Sequence, residues 1–172
     1  MKLVVYARNI IKTMIYKIIY INRFKLKISK VNSNSDILIS KSGTLSLEGK
    51  ASMRGGFINV NGGNLYIKNG FFMNRGCSIN CQNRIYIGED VIIGENVLFY
   101  DHNHRITNGI VDKNIFDLGE IRIGNNVWIG SNSIILKDVT IGDNCVISAG
   151  SVVSKDVPAQ TVLIQKKQNY YG

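Results

Sequence analysis

From Ile123 onward the chain repeats every six residues: IGNNVW, IGSNSI, ILKDVT, IGDNCV, ISAGSV, VSKDVP. An aliphatic residue opens each unit: Ile123, Ile129, Ile135, Ile141, Ile147 and Val153. The fifth position is small or β-branched: Val127, Ser133, Val139, Cys145, Ser151 and Val157. Upstream, Ile87 and Ile93 open two more units, and Phe99 opens another that breaks off. The fourth position reads Asp90, Asn96, Asn126, Asn132, Asp138, Asn144, Gly150 and Asp156. Asn, Asp and Gly accept positive φ at the least steric cost, so this position predicts a left-handed corner in every unit. A six-residue period with one tight corner per unit excludes a helix. It predicts short flat strands that bend at each unit. Three bends close an 18-residue coil, and stacked coils bury the first-position aliphatics as a ladder.

Residues 31–86 carry a looser alternation around Ile37–Ile39, Leu45–Leu47, Ile58–Val60 and Leu65–Ile67, separated by Gly, Asn and Ser. These read as irregular coils of the same solenoid. Residues 102–120 contain no repeat, and an insertion in a solenoid must leave the wall as a loop. The expected organisation is therefore a helical segment over 1–30, a β-helix over 31–165 with 102–120 extruded, and a tail over 166–172.

The net charge of +9 is concentrated at one end. Residues 1–35 hold eight Lys or Arg and no acid, whereas the remainder is nearly balanced. A basic body that tracks nucleic acid is therefore not indicated. Ala7, Ile10, Ile11, Met14, Ile15, Ile18 and Ile21 follow helical spacing, decorated by Lys2, Arg8, Lys12, Lys17 and Arg23. Two roles fit: a basic amphipathic helix on an anionic membrane surface, or a cap over the first coil. No run of 18 uninterrupted apolar residues would span a bilayer, and no secretory signal is evident. Cys77, Cys81 and Cys145 have no disulfide or zinc spacing, which predicts reduced, packed thiols in a cytoplasmic protein without a metal.

The six-residue pattern resembles the hexapeptide-repeat acyltransferases over roughly residues 70–165. The resemblance implies an all-β fold, the left-handed parallel β-helix. It also implies transfer of an acetyl group from acetyl-CoA, usually by a homotrimer with its active site between neighbouring coils. The only histidines, His102 and His104, stand where the repeat breaks. In the similar sugar O-acetyltransferases, such as the maltose and galactoside enzymes, the catalytic His follows an upstream Ile-Gly by 17 positions. It precedes the Trp of a downstream Ile-Gly-x-x-Val-Trp unit by 24. Counting from Ile87 and from Trp128 both reach His104. His104 is thereby assigned as general base, paired with Trp128, and oriented by Asp101 or a backbone carbonyl. His102 falls at a fourth-position corner, where a turn role is expected.

The same likeness aligns Asn74 with a residue that binds acceptor or stabilises the transition state. It places Ser131, Ala149, Ser154 and Lys155 beside acetyl-CoA, with Lys166 and Lys167 as later cationic candidates. The acceptor implied is a sugar or a surface-polysaccharide precursor. N-acetylation of an amino-sugar nucleotide and a non-enzymatic assembly platform are the alternatives. The zinc-dependent carbonic anhydrases built on this solenoid need three His ligands, and this chain has two.

Overall fold

The computed structural model describes residues 2–165. A helix over Lys2–Ile19 leads into a parallel β-solenoid of about seven coils. The coils lay strands on three faces, the ten-residue strands Phe24–Ser33 and Thr44–Met53 each running through the first two. The first face stacks Phe24, Leu45, Leu65, Ile85, Ile121 and Val139 in register. The second face pairs Ala51–Met53, Phe71–Met73, Ile92–Ile93, Trp128–Ile129, Val146–Ile147 and Val162–Leu163 in turn. The third runs Asp36–Ser40, Gly56–Asn61, Cys77–Cys81, Leu98–Tyr100, Ile134–Ile135 and Val152–Val153. The winding is consistent with the left-handed β-helix that hexapeptide repeats build.

The inward ladders explain why the first hexapeptide position is aliphatic. Ile87, Ile93, Ile123, Ile129, Ile135, Ile141 and Ile147 are fully buried. The fourth position turns the corners as its chemistry requires. Asp90, Asn96, Asn126, Asn132, Asp138, Asn144 and Gly150 all have φ between 52° and 71°. Asp156 is the exception and has no positive φ. It faces the point where the stride between coils shortens. Val146 pairs with Val162, 16 residues on, whereas Trp128 pairs with Val146, 18 on. Its carboxylate instead accepts the Thr140 amide at 2.7 Å.

The solenoid starts earlier than the alternation indicates. The helix stops at Ile19, and Phe24–Ser33 already pairs in parallel with Thr44–Met53. The segment 1–30 is thus part helix and part first coil. Four basic side chains fasten this end through contacts available to them locally. Lys12 pairs with Asp36 at 2.7 Å, Arg8 donates to Asn34 Oδ1 at 3.2 Å, and Lys17 and Arg23 donate to main-chain carbonyls.

The insertion is ordered. His102–Thr107 and Ile110–Leu118 form an antiparallel hairpin closed by Asn108 and Gly109, at φ 52° and 77°. Asn-Gly with two positive φ values is the chemistry of a two-residue type I′ turn. At the neck, the Gly119 amide donates to the Asp101 carbonyl at 2.7 Å, and Glu120 re-enters the first face opposite Arg84.

Candidate active site

The hairpin leaves the coil at the corner between the third and first faces, and both histidines lie on its outgoing strand. His102 belongs to the root. Its Nδ1 donates to Asp101 Oδ1 at 2.9 Å, and its side chain is 15% exposed. Asp101 is fully buried and also accepts the amides of Gln82 and Asn83 at 2.8 Å. The carboxylate therefore knots the hairpin to the preceding coil, which replaces the turn role expected of His102. His102 lies in a strand opposite Leu118, edge-on to Phe116.

His104 lies two residues further out and is exposed. The pairing of the hairpin slips after His104, which pairs with Phe116 while Ile106 pairs with Val111. Residues 112–115 are thereby pushed into a bulge. The Asp112 carboxylate stitches that bulge by accepting the amides of Asn114 and Ile115 at 2.8 and 3.0 Å. Those amides hold the Asp112 carboxyl below its ordinary value. The Asp112 carbonyl, turned inward, sits 2.9 Å from His104 Nδ1. A carbonyl can only accept, so Nδ1 carries the proton and Nε2 keeps its lone pair. Phe116 tilts against the ring at 4.6 Å between centroids. Of the two proposed orienting groups, the carbonyl serves His104 and Asp101 serves His102.

Asn74 follows the Phe71–Met73 strand at the corner between the second and third faces. Its Oδ1 accepts the Arg75 amide at 3.1 Å, which leaves its Nδ2 to donate elsewhere. The same corner carries Ser131 and Ala149 on later coils. Ser131 Oγ accepts the Glu95 amide at 3.0 Å, and its carbonyl accepts the Gly150 amide at 2.8 Å. Side chains are excluded beneath them. A Cβ on Gly94 would lie 2.6 Å from the Ser131 nitrogen, and one on Gly130 would lie 2.6 Å from that of Ala149. The result is a strip of main chain and small side chains along one corner.

Ser154 and Lys155 lie elsewhere, at the end of the Val152–Val153 strand on the corner that also releases the hairpin. They line a cleft of about 210 Å³ with Leu163 and Gln165. Gln165 clasps the Val152 main chain through both amide atoms, at 2.9 and 2.7 Å. Lys166 and Lys167 lie outside the described residues. Trp128 sits on the outside of the second face between Ile92 and Val146, 53% exposed. Within one chain, then, Asn74 and His104 stand at opposite edges of the third face and do not meet.

All three cysteines are buried and unpaired. Burial pushes the Cys77 and Cys81 thiols above their ordinary range. Among the described residues no group of three His, Cys, Asp or Glu is placed to hold a metal.

The family model for the bacterial transferase hexapeptide (six repeats) matches residues 120–155. No curated protein matches the sequence. A galactoside acetyltransferase crystallised with coenzyme A is 29% identical, with 79% of this chain and 58% of that chain covered and a TM-score of 0.55. A hexapeptide-repeat acetyltransferase from Vibrio cholerae, complexed with acetyl-CoA, is 22% identical over 86% of this chain and 69% of that one, with a TM-score of 0.56. An N-acyltransferase variant from Bacillus cereus, bound to dTDP and coenzyme A, reaches a TM-score of 0.65 at 15% identity, covering 84% and 80%. The last two likenesses are likenesses of fold. The chain spans less than two thirds of the galactoside enzyme. The chain is accordingly a hexapeptide-repeat β-solenoid, similar in sequence and coil to hexapeptide acetyltransferases, with the transferase repeat itself at residues 120–155.

Proposed function

We propose that this protein transfers the acetyl group of acetyl-CoA to a hydroxyl of a sugar or surface-polysaccharide precursor, with His104 as general base. The observation that carries this reading is the accessible Nε2 lone pair of His104, fixed by the bond from Nδ1 to the Asp112 carbonyl. Nε2 takes the hydroxyl proton as the acceptor oxygen attacks the thioester carbonyl. The tetrahedral oxyanion accepts a hydrogen bond from the Asn74 amide, a type of contact worth about 3–4 kcal/mol in acyl transfer. Collapse expels the CoA thiolate, which recovers the proton from the imidazolium, leaving an acetyl ester and free CoA. The buried thiols take no part.

Because Asn74 and His104 occupy opposite edges of one face, the reading requires them from two subunits, as in a homotrimer. The outer surfaces of two faces suit such an assembly. Phe72, Ile92, Trp128, Val146 and Val162 form one outward column, and Phe57, Leu98, Ile134 and Val152 line part of another. Across that boundary the corner strip of Ser131 and Ala149 would face the corner bearing Ser154 and Lys155, with the pantetheine arm between. The described helix is not long and apolar enough to cross a membrane. Its outward apolar stripe of Val4, Ile11, Met14, Ile15 and Ile18 supports peripheral contact with the inner face of a bilayer.

The test is release of free thiol from acetyl-CoA with a panel of sugars, followed by mass spectrometry of the product. A product whose acetyl group is removed by alkaline hydroxylamine is the expected ester. An acetyl that resists would establish the N-acetyl alternative, which the same base would serve. No thiol release and no CoA binding would favour the platform.

A further inference from the structure

Where the helix crosses the rim of the first coils, a cleft of about 710 Å³ opens at the corner between the second and third faces. Its lining includes Arg8 from the helix, Arg54 from the second coil and Arg75 from the third, and no carboxylate. Three of the four arginines elsewhere find acids, and the fourth, Arg23, donates to the Lys41 carbonyl. Arg84 and Arg122 pair with Glu120, and Arg105 with Asp117. Among the described residues, none of the three cleft arginines lies within salt-bridge distance of a carboxylate. The nearby Asp36 is already taken by Lys12 at 2.7 Å. Three like charges that converge without a counter-charge repel one another, and an anion between them removes that repulsion.

Two of the guanidiniums are held in place. Arg54 lies over the Phe72 ring at 5.1 Å, and Arg8 donates to Asn34 Oδ1 at 3.2 Å. The wall between them is bare main chain at Gly55, Gly56 and Gly76, all at positive φ. Asn9 closes the helix side of the cleft. It lines the cleft, is 6% exposed, and donates Nδ2 to Asn32 Oδ1 at 2.8 Å. Its own Oδ1 is buried without a partner.

We propose that this cleft binds the phosphate or diphosphate of the acceptor, so that the substrate is a phosphorylated sugar and not a neutral one. The planar guanidinium forks match phosphate oxygens in pairs. The location suits the reaction, and here the inference rests on the acetyl-transfer reading. The Arg54 amide donates to the Met73 carbonyl, so Arg54 lies one coil beneath Asn74, and Arg75 follows Asn74 directly. A phosphate held in the cleft leaves its sugar beside Asn74.

Calorimetric titration of the full chain with inorganic pyrophosphate tests the site without any need for turnover. Saturable binding that weakens steeply with salt is expected. Arg54→Gln and Arg75→Gln should each weaken it by about tenfold, as for loss of one charge-assisted pair. Arg122→Gln, on the first face, should leave it unchanged. These side chains are exposed, and circular dichroism verifies that each variant is folded. No saturable binding, or variants that bind like the wild type, would overturn the proposal. Competition then separates two sources of the same chemistry: a nucleoside-diphosphate sugar in solution, and undecaprenyl phosphate in phosphatidylcholine vesicles. Displacement by either supports the proposal and names the source. Displacement by neither overturns the acceptor assignment. Pyrophosphate binding with no thiol release from acetyl-CoA would sink the transferase reading and leave the anion site. Thiol release with neutral sugars and no pyrophosphate binding would do the reverse.

Discussion

At the scale of single residues, the two histidines separate by what holds them. His104→Ala removes an accessible base and should cut turnover about 10²–10⁴-fold, the usual worth of a positioned proton acceptor. Its melting temperature should stay near that of the wild type, because the ring lies off the buried ladders. His102→Ala should show the opposite balance. It strips a hydrogen bond from buried Asp101 and should lower stability by about 1–3 kcal/mol in a denaturant titration, with a smaller loss of turnover. The thiols offer a second check. Folded-state values raised above the ordinary 9.0 mean that stability holds below that pH, where both states keep the Cys77 and Cys81 protons, and falls as pH rises above it, where the unfolded thiols ionise first. Iodoacetamide at pH 8 should label native protein slowly and urea-unfolded protein fast. The corner residues were readable because their chemistry maps onto one dihedral angle. The role of His102 was not, because it depends on a carboxylate buried by an adjacent coil.

Among elements, the helix is turned inside out relative to a simple cap. Asn9 and Thr13 are buried against the coil, with Tyr16 and Tyr20 partly buried beside them. Val4, Ile11, Met14, Ile15 and Ile18 face outward, each more than half exposed. The apolar spacing identified a helix. Only the contacts show which side is docked, since polar pairs such as Asn9–Asn32 do the fastening. Ile11→Ser with Ile18→Ser should leave the melting curve unchanged yet reduce co-sedimentation with phosphatidylglycerol vesicles. Equal sedimentation would reduce the helix to a cap. The docking also responds to acid. The Lys12 ammonium, by hydrogen bond and charge, holds the Asp36 carboxyl below its ordinary 3.8. Its contribution to stability is present above 3.8 and disappears as pH falls through the depressed value. Helix amides should therefore lose hydrogen-exchange protection in that acidic window before the ladder does. The hairpin carried an overlooked signal: Thr107-Asn108-Gly109-Ile110 is a two-residue turn flanked by β-branched residues.

For the whole molecule, the ladder sets cooperativity and the faces set association. Ile129 is fully buried between Ile93 and Ile147, so Ile129→Ala should cost about 2–5 kcal/mol by the usual cavity rule. Light scattering should give three times the chain mass for the wild type, and Trp128→Glu should shift it toward one. The downstream coils were legible because Trp128 to Val146 and Ile134 to Val152 each advance 18 residues, and the coil bearing the hairpin advances 36. The upstream coils advance by 20 or 21, as Asn64 pairs with Arg84 and Gly56 with Cys77. There the corners fall on glycines at irregular intervals, and no six-residue frame survives.

One measure of the hairpin reaches past catalysis. Leu98 pairs with Ile134, 36 residues on, which is twice the stride from Ile134 to Val152. The excursion is as long as one lap of the spiral, so the frame on either side stays in phase. Joining Asp101 to residue 120 would bring the two into the places that Lys137 and Asp138 hold one lap later. With Glu120→Asn to suit the left-handed bend of Asp138, the shortened chain should melt as one unit and be inert. The wall is then a chassis and the histidine arm a removable cartridge, so scaffold and chemistry are free to change independently.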